Sequence, residues 1–128
     1  MTPANDIVRE LLLAGEHELP NSEPLLEAVS QAEFFAVVHG DPMAGAVLQG
    51  LAIEIHKVVL PIFTHEEIAR SGMSLEPGAW FDRVSIRQAA HFVLDRQWHG
   101  VYINFRERGW LIQREFLSYL MSYIPKVA

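Results

Sequence analysis

Residues 51–68 read LAIEIHKVVLPIFTHEEI, and the change of period inside this stretch decides the fold class. Leu51, Ile53 and Ile55 face one way while Glu54 and His56 face the other, the period-two pattern of a half-buried strand. Residues 58–63 are almost continuously apolar, as in a central strand covered on both faces. Pro61 interrupts that run. It has no N–H to give to a ladder, so it marks a bulge or a locally unpaired position. Thr64 with Glu67 three residues on has the form of a capping box, and Phe63 and Ile68 have the spacing of a hydrophobic staple. A short helix over residues 65–71 follows. Two strands feeding directly into a helix are the mark of a mixed α/β domain.

Working upstream, residues 33–38 (EFFAVV) are aromatic and β-branched, which predicts a strand. Residues 39–45 contain His-Gly-Asp-Pro and a later glycine, which predicts a loop. Earlier still, Ile7, Val8, Leu11 and Leu12 recur at helical spacing, and that helix ends near Gly15. Residues 1–5 read as a frayed terminus. Asn21, Ser22, Glu23 and Pro24 form a helix start, with Leu25, Leu26 and Val29 as its buried stripe. Downstream, residues 71–78 read as loop and residues 80–84 as a short strand. Ser85 with Gln88 is a second capping box. Ile86, Ala89, Ala90, Val93 and Leu94 then supply the buried face of a helix. Gly100 permits a turn, residues 101–105 (VYINF) read as a strand, and residues 106–109 as a polar turn. Leu117, Leu120, Met121 and Ile124, with Phe116, form the face of a last helix stopped by Pro125. The order is α-α-β-β-β-α-β-α-β-α. It predicts one α/β (α+β) domain with a mixed five-stranded sheet flanked by helices. Residues 1–20, a helix and its connection, belong to the same domain as residues 21–124.

The chain has 128 residues, half of them hydrophobic and a fifth charged, which is enough for one core. It has no cysteine, which excludes disulfides, zinc–thiolate and iron–sulfur sites and a cysteine nucleophile. The net charge of −6 is uneven. Residues 1–33 hold seven acids and one base, so they carry the whole −6. Residues 34–128 hold nine of each and sum to zero. Without a basic stripe, nucleic acid and anionic membrane are not expected partners. The acidic quarter is either a solvated face on the first two helices or a docking surface for a basic partner. Residues 1–6 carry no signal-peptide character, and no apolar run has membrane-spanning length. A cytoplasmic setting is the expectation.

Catalytic patterns are missing. No Gly-x-Ser-x-Gly elbow, Walker loop or dinucleotide fingerprint is present. The histidines do not fall at metal spacing: Glu54 and His56 would share one strand face, His65-Glu66-Glu67 lacks a second histidine four residues on, and His91 and His99 are too far apart. Asp82, Glu107 and Glu115 could form a carboxylate pair only if the fold happened to join them. No metal, cofactor or catalytic residue is therefore expected. The segment from Asn104 to Trp110 leaves a strand carrying two arginines and a tryptophan. Arginine and tryptophan dominate interface hot spots, and loops at strand ends often carry function. Arg106, Arg108 and Trp110 are the candidate protein-binding residues, with Trp80, beside Phe81, as a further one. The competing reading makes Phe105, Trp110 and Trp80 core residues.

Leu60-Pro61-Ile62-Phe63-Thr64, followed by Glu66-Glu67-Ile68, resembles the hydrophobic-Pro-hydrophobic-Phe-Thr-Ser motif of the N-terminal domain of SseB (enhanced serine sensitivity) proteins. Val101-Tyr102-Ile103-Asn104 resembles that family's late strand ending in Asn-Pro. The start at Asn21, with a helix leading into residues 33–37, also fits. The resemblance covers residues 21–124, and the chain has room for one such domain. His65 stands where serine is usual, and Phe105 where proline is usual. The resemblance implies an α/β fold in a bacterial cytosolic protein, with no established activity, cofactor or catalytic residue. The expectation is a non-enzymatic protein-binding or regulatory module whose protein partner is unidentified. One alternative is a small-ligand site or small enzyme at the strand ends near Asn104, Thr64 and His65. Another is a structural homo-oligomer.

Overall fold

A computed structural model describes residues 3–15, 23–41 and 45–123. The central stretch forms β4 (Lys57–Ile62), and the rest of the fold is arranged around it. β3 (Leu51–Glu54) pairs with β4 antiparallel, β6 (Gly100–Ile103) pairs with it in parallel, and β7 (Trp110–Gln113) adds antiparallel to β6. This gives a four-stranded sheet in the order β3-β4-β6-β7. A second sheet of three antiparallel strands has the order β2-β1-β5, with β1 at Glu33–Asp41, β2 at Gly45–Leu48 and β5 at Ala79–Ser85. The two sheets meet where Phe35 and Phe63 exchange both backbone hydrogen bonds, each 2.8 Å.

Pro61 sits at that meeting place. Val58 and Ile62 turn their carbonyls to β6, accepting from His99 and Asn104, so the alternate positions 59, 61 and 63 turn their backbone the other way. There Val59 pairs with Leu51 of β3 and Phe63 with Phe35 of β1. Pro61 falls between them, in the gap where a missing N–H costs nothing. The chain crosses from one sheet to the other just opposite: Gln49 still donates to Val37 of β1, and Leu51 already pairs with β4. Gly50 lies at the crossing. A Cβ there would stand 2.7 Å from the Trp98 ring and 2.8 Å from Val58.

Period two sorts the side chains. Phe34, Ala36 and Val84 of one sheet and Leu60, Ile62, Val101, Ile103 and Ile112 of the other share a single buried core. Four helices cover it: α1 (Pro3–Leu13), α2 (Glu23–Gln31), α4 (Ile86–Arg96) and α5 (Arg114–Tyr123). They contribute Val8 and Leu12, Leu25 and Val29, Ala89 and Val93, and Leu117 and Leu120. The neighbouring positions Phe35 and Phe63 point to the opposite side, where α3 (Glu66–Gly72) packs Ile68 and Ala69 against them. The mixed α/β class read from the sequence is what the structure has. No helix among the described residues is long and apolar enough to cross a membrane.

Several local expectations are corrected. Among the described residues, the single five-stranded sheet becomes seven strands in two sheets. The two extra strands are β2 and β7, of four residues each. His39 and Gly40 extend β1 instead of opening a loop, because β2 supplies partners for them. Residues 42–44 lie outside the described part. Residues 3–5 are helical, and Ala4 and Asn5 are buried. Ile55 is 86 % exposed because β3 ends at Glu54. His56 occupies a turn at φ 66°, so it shares no strand face with Glu54. The capping box at Ser85 and Gln88 is complete. The one expected at Thr64 and Glu67 is not: the helix begins after His65 with no side-chain cap. The start expected at Asn21 and Ser22, and the contact expected of Ile124, lie outside the described residues.

Candidate functional site

The loop between β6 and β7, singled out for its arginines, is where α1 docks. Asn104 stands at φ 51°, a left-handed position that asparagine tolerates better than most residues, and it ends β6. Glu107, three residues on, meets Arg9 of α1 in a two-pronged ion pair, Nε to Oε1 at 3.1 Å and Nη2 to Oε2 at 2.8 Å. Those hydrogen bonds hold the Glu107 carboxyl below the usual carboxylate range and raise Arg9 in return. The Arg108 guanidinium lies over Gly15, where a Cβ would stand 2.7 Å from Nη2. Gly15 itself, at φ 80°, closes the end of α1. Arg106 is exposed. Its Nε donates to the Gly72 carbonyl at 3.3 Å and its guanidinium carbon lies 5.2 Å from the Phe105 ring centre. This loop therefore holds the chain's own first helix.

Beneath it is a buried polar chain that ties α1 to the ends of β4 and β6. The Asn5 amide donates to the carbonyls of Glu33 (2.6 Å) and Thr64 (2.7 Å) and accepts from the Glu33 N–H (3.2 Å). Asn104 accepts from the Thr64 N–H through Oδ1 (3.0 Å) and donates from Nδ2 to Thr64 Oγ1 (3.0 Å). Thr64 Oγ1 is 2.7 Å from His65 Nδ1, and His65 Nε2 is 2.7 Å from Asp6 Oδ1. The Asp6 carboxylate only accepts, so the hydrogen it takes is on His65 Nε2, and in that tautomer Nδ1 accepts from the Thr64 hydroxyl. The tautomer is thus assigned from the network. Carboxylate, imidazole and hydroxyl stand in the order of an acyl-transfer triad. Thr64, however, is 0 % exposed and His65 and Asn104 are buried, so the hydroxyl meets protein, not substrate. Asn104, Thr64 and His65 do come together, as the strand-end alternative requires, and Asn5 and Asp6 of α1 join them there.

The remaining candidates separate. Trp80 is half-buried on β5, opposite Val38, and belongs to the three-stranded sheet. Trp110 is half-buried on β7 of the other sheet, where it packs partly against the core. It begins a run of aromatic contacts of which the sequence reading placed Phe116 on the core face of the last helix and did not single out Tyr119. Trp110 meets Phe116 edge-on at 5.7 Å, and Phe116 meets Tyr119 at 5.4 Å. Phe116 is 37 % and Tyr119 54 % exposed. The three spots on rigid elements, a strand and the helix after it, make a continuous aromatic strip open to solvent. The carboxylates do not pair with one another: Asp82 accepts from the Arg83 N–H, Glu107 is held by Arg9, and Glu115 lies 3.6 Å from Arg114. No metal-ligating group of three or more His, Cys, Asp or Glu side chains occurs among the described residues.

Asn5, Asp6 and Arg9 were missed as partners of this cluster. The signal for Asn5 lay in the helical spacing of Asn5, Val8 and Leu12, which puts a polar residue on the buried stripe. No family model, curated protein or solved structure matches the chain.

Proposed function

We propose that this chain is a non-enzymatic protein-binding or regulatory module of the SseB N-terminal-like type, acting in the bacterial cytosol. The observation that carries the reading is the exposed aromatic strip Trp110–Phe116–Tyr119. Large aromatic side chains left half-open on rigid elements are the usual anchors of protein interfaces. Arg106 and Arg108 serve a different purpose in this reading: they secure Phe105 and α1, so substituting Arg108 would disturb the fold along with any surface. The strip is therefore tested with Phe116→Ser/Tyr119→Ala, which leaves the α1 contacts alone. Wild type and variant are compared in affinity capture from bacterial lysate, with melting curves and light scattering alongside. A protein captured by the wild type and lost by an equally stable variant supports the reading. Equal capture by both removes the strip as the binding surface. Wild-type dimers that dissociate in the variant make self-association its use.

A further inference from the structure

We infer that the seam between α1 and α2 is a second docking surface, shaped for a basic amphipathic helix of a partner protein. Asn5 near the start of α1 bonds Glu33 just after α2, so the two helices run antiparallel. Between them lies a groove of about 560 Å³ with Pro3, Ala4 and Ile7 on one wall and Pro24 and Ala28 on the other. Ile7 is 45 % exposed there, although the same helix buries Val8 and Leu12 completely. The one charged residue in the lining is Glu27. Exposed Glu23 lies one turn before it on α2, and exposed Glu10 lies one turn beyond Ile7 on α1.

The charge is uncompensated where the groove is. Among the described residues, Glu10, Glu23 and Glu27 have no ion pair. The other two acids of these first elements are engaged, Asp6 with His65 and Glu33 with Arg83. The only basic residue of residues 1–33, Arg9, is turned to the far side and held by Glu107. An apolar furrow edged by three carboxylates that have no ion pair among the described residues fits an occupant with an apolar stripe flanked by lysine or arginine. That is the chemistry of helix-in-groove recognition, with rim charges setting partner choice and on-rate. This surface lies on other elements than the aromatic strip and does not depend on it.

The probe is a fluorescein-labelled synthetic helix of roughly 18 residues with leucine at i, i+3, i+4 and i+7 and lysine elsewhere. Its control carries glutamate for every lysine. The wild type binds the lysine helix, with affinity falling as salt rises, and does not bind the control. Glu10→Lys/Glu23→Lys/Glu27→Lys weakens binding roughly tenfold or more. Ile7→Asp is the deciding variant. It adds negative charge, so mere electrostatic attraction would tighten binding, whereas docking in the groove is lost when its wall becomes polar. Circular dichroism checks that each variant stays folded, which the exposure of all four sites favours. Tighter or unchanged binding by Ile7→Asp overturns the inference, as does equal binding of the glutamate control or no binding of the lysine helix. Phe116→Ser/Tyr119→Ala binds the probe as the wild type does; loss there would place the probe on the aromatic strip and refute the groove.

Discussion

Replacing Asn5 with alanine tests whether the first helix is locked to the strand ends. The side chain is fully buried and satisfies three backbone groups: the carbonyls of Glu33 and Thr64, and the Glu33 N–H. Alanine supplies none of these. Each lost partner costs about 1 kcal/mol net and more where the orphan stays dry, so the loss comes to about 3 kcal/mol. At about 2.1 cal/mol/K of unfolding entropy per residue, a chain of this length then melts about 11 °C lower. Urea unfolding followed by tryptophan fluorescence, with calorimetry alongside, reads both values. The midpoint should fall at an unchanged denaturant slope. Asn5→Asp should be at least as damaging, because its carboxylate would face two carbonyl oxygens. Glu10→Ala, exposed on the same helix, should stay within about 0.5 kcal/mol of wild type. A loss below about 1 kcal/mol for Asn5→Ala, or wild-type stability for Asn5→Asp, would refute the lock.

Glu107 gives a pH test. Its carboxyl is lowered in the fold by Arg9, so its stabilising contribution is present above its unfolded pKa and is lost as pH falls through the folded one. Glu107→Gln should therefore be less stable than wild type near neutral pH, with the gap closing in acid. With side chains 41 % and 25 % exposed, the neutral gap should be below about 1 kcal/mol, measured by urea titrations at about pH 7 and about pH 3. Ser85→Ala removes a complete capping box and should cost about 1 kcal/mol, seen as a drop of about 4 °C in melting temperature. Gly100→Ala would bring a Cβ to 2.2 Å from the Ile112 carbonyl oxygen. It should push β7 from β6, seen as faster amide exchange at Ile112 and Gln113.

What could be read from the sequence was what is settled locally. Ser85 and Gln88 need only each other, and their capping box formed as expected. Thr64 and Glu67 have the same spacing, but Asn104, forty residues away, holds the threonine hydroxyl, and no local window shows that rival. Pro61 was legible as a defect in pairing; that it marks the meeting of two sheets depends on Phe35. The strand β2 escaped notice because it opens on Gly45 and Ala46, the end of a stretch that reads as loop, and β7 because its four residues are pressed between a turn and a helix. Arg106 and Arg108 were read as candidate protein-binding residues; that Arg106 bonds Gly72 and Arg108 lies over Gly15 depends on where α3 and α1 dock, which no local window shows. The exposed strip on Phe116 and Tyr119 depends on which side of α5 the sheet leaves open, which helical spacing alone does not say.

The tie between Arg9 and Glu107 joins residues 98 apart in the chain, and that separation constrains how the protein comes to be folded. Synthesis at roughly 5–20 residues per second leaves several seconds between the first helix and its last anchor. An 11-residue helix is marginal alone in water, so for that interval Val8 and Leu12 have only part of their sheet to cover them. Closing such long loops comes late and slowly. The first helix is thus among the last elements to be secured, and a nascent chain stalled before residue 104 would carry a partly covered apolar stripe that a holding chaperone could bind.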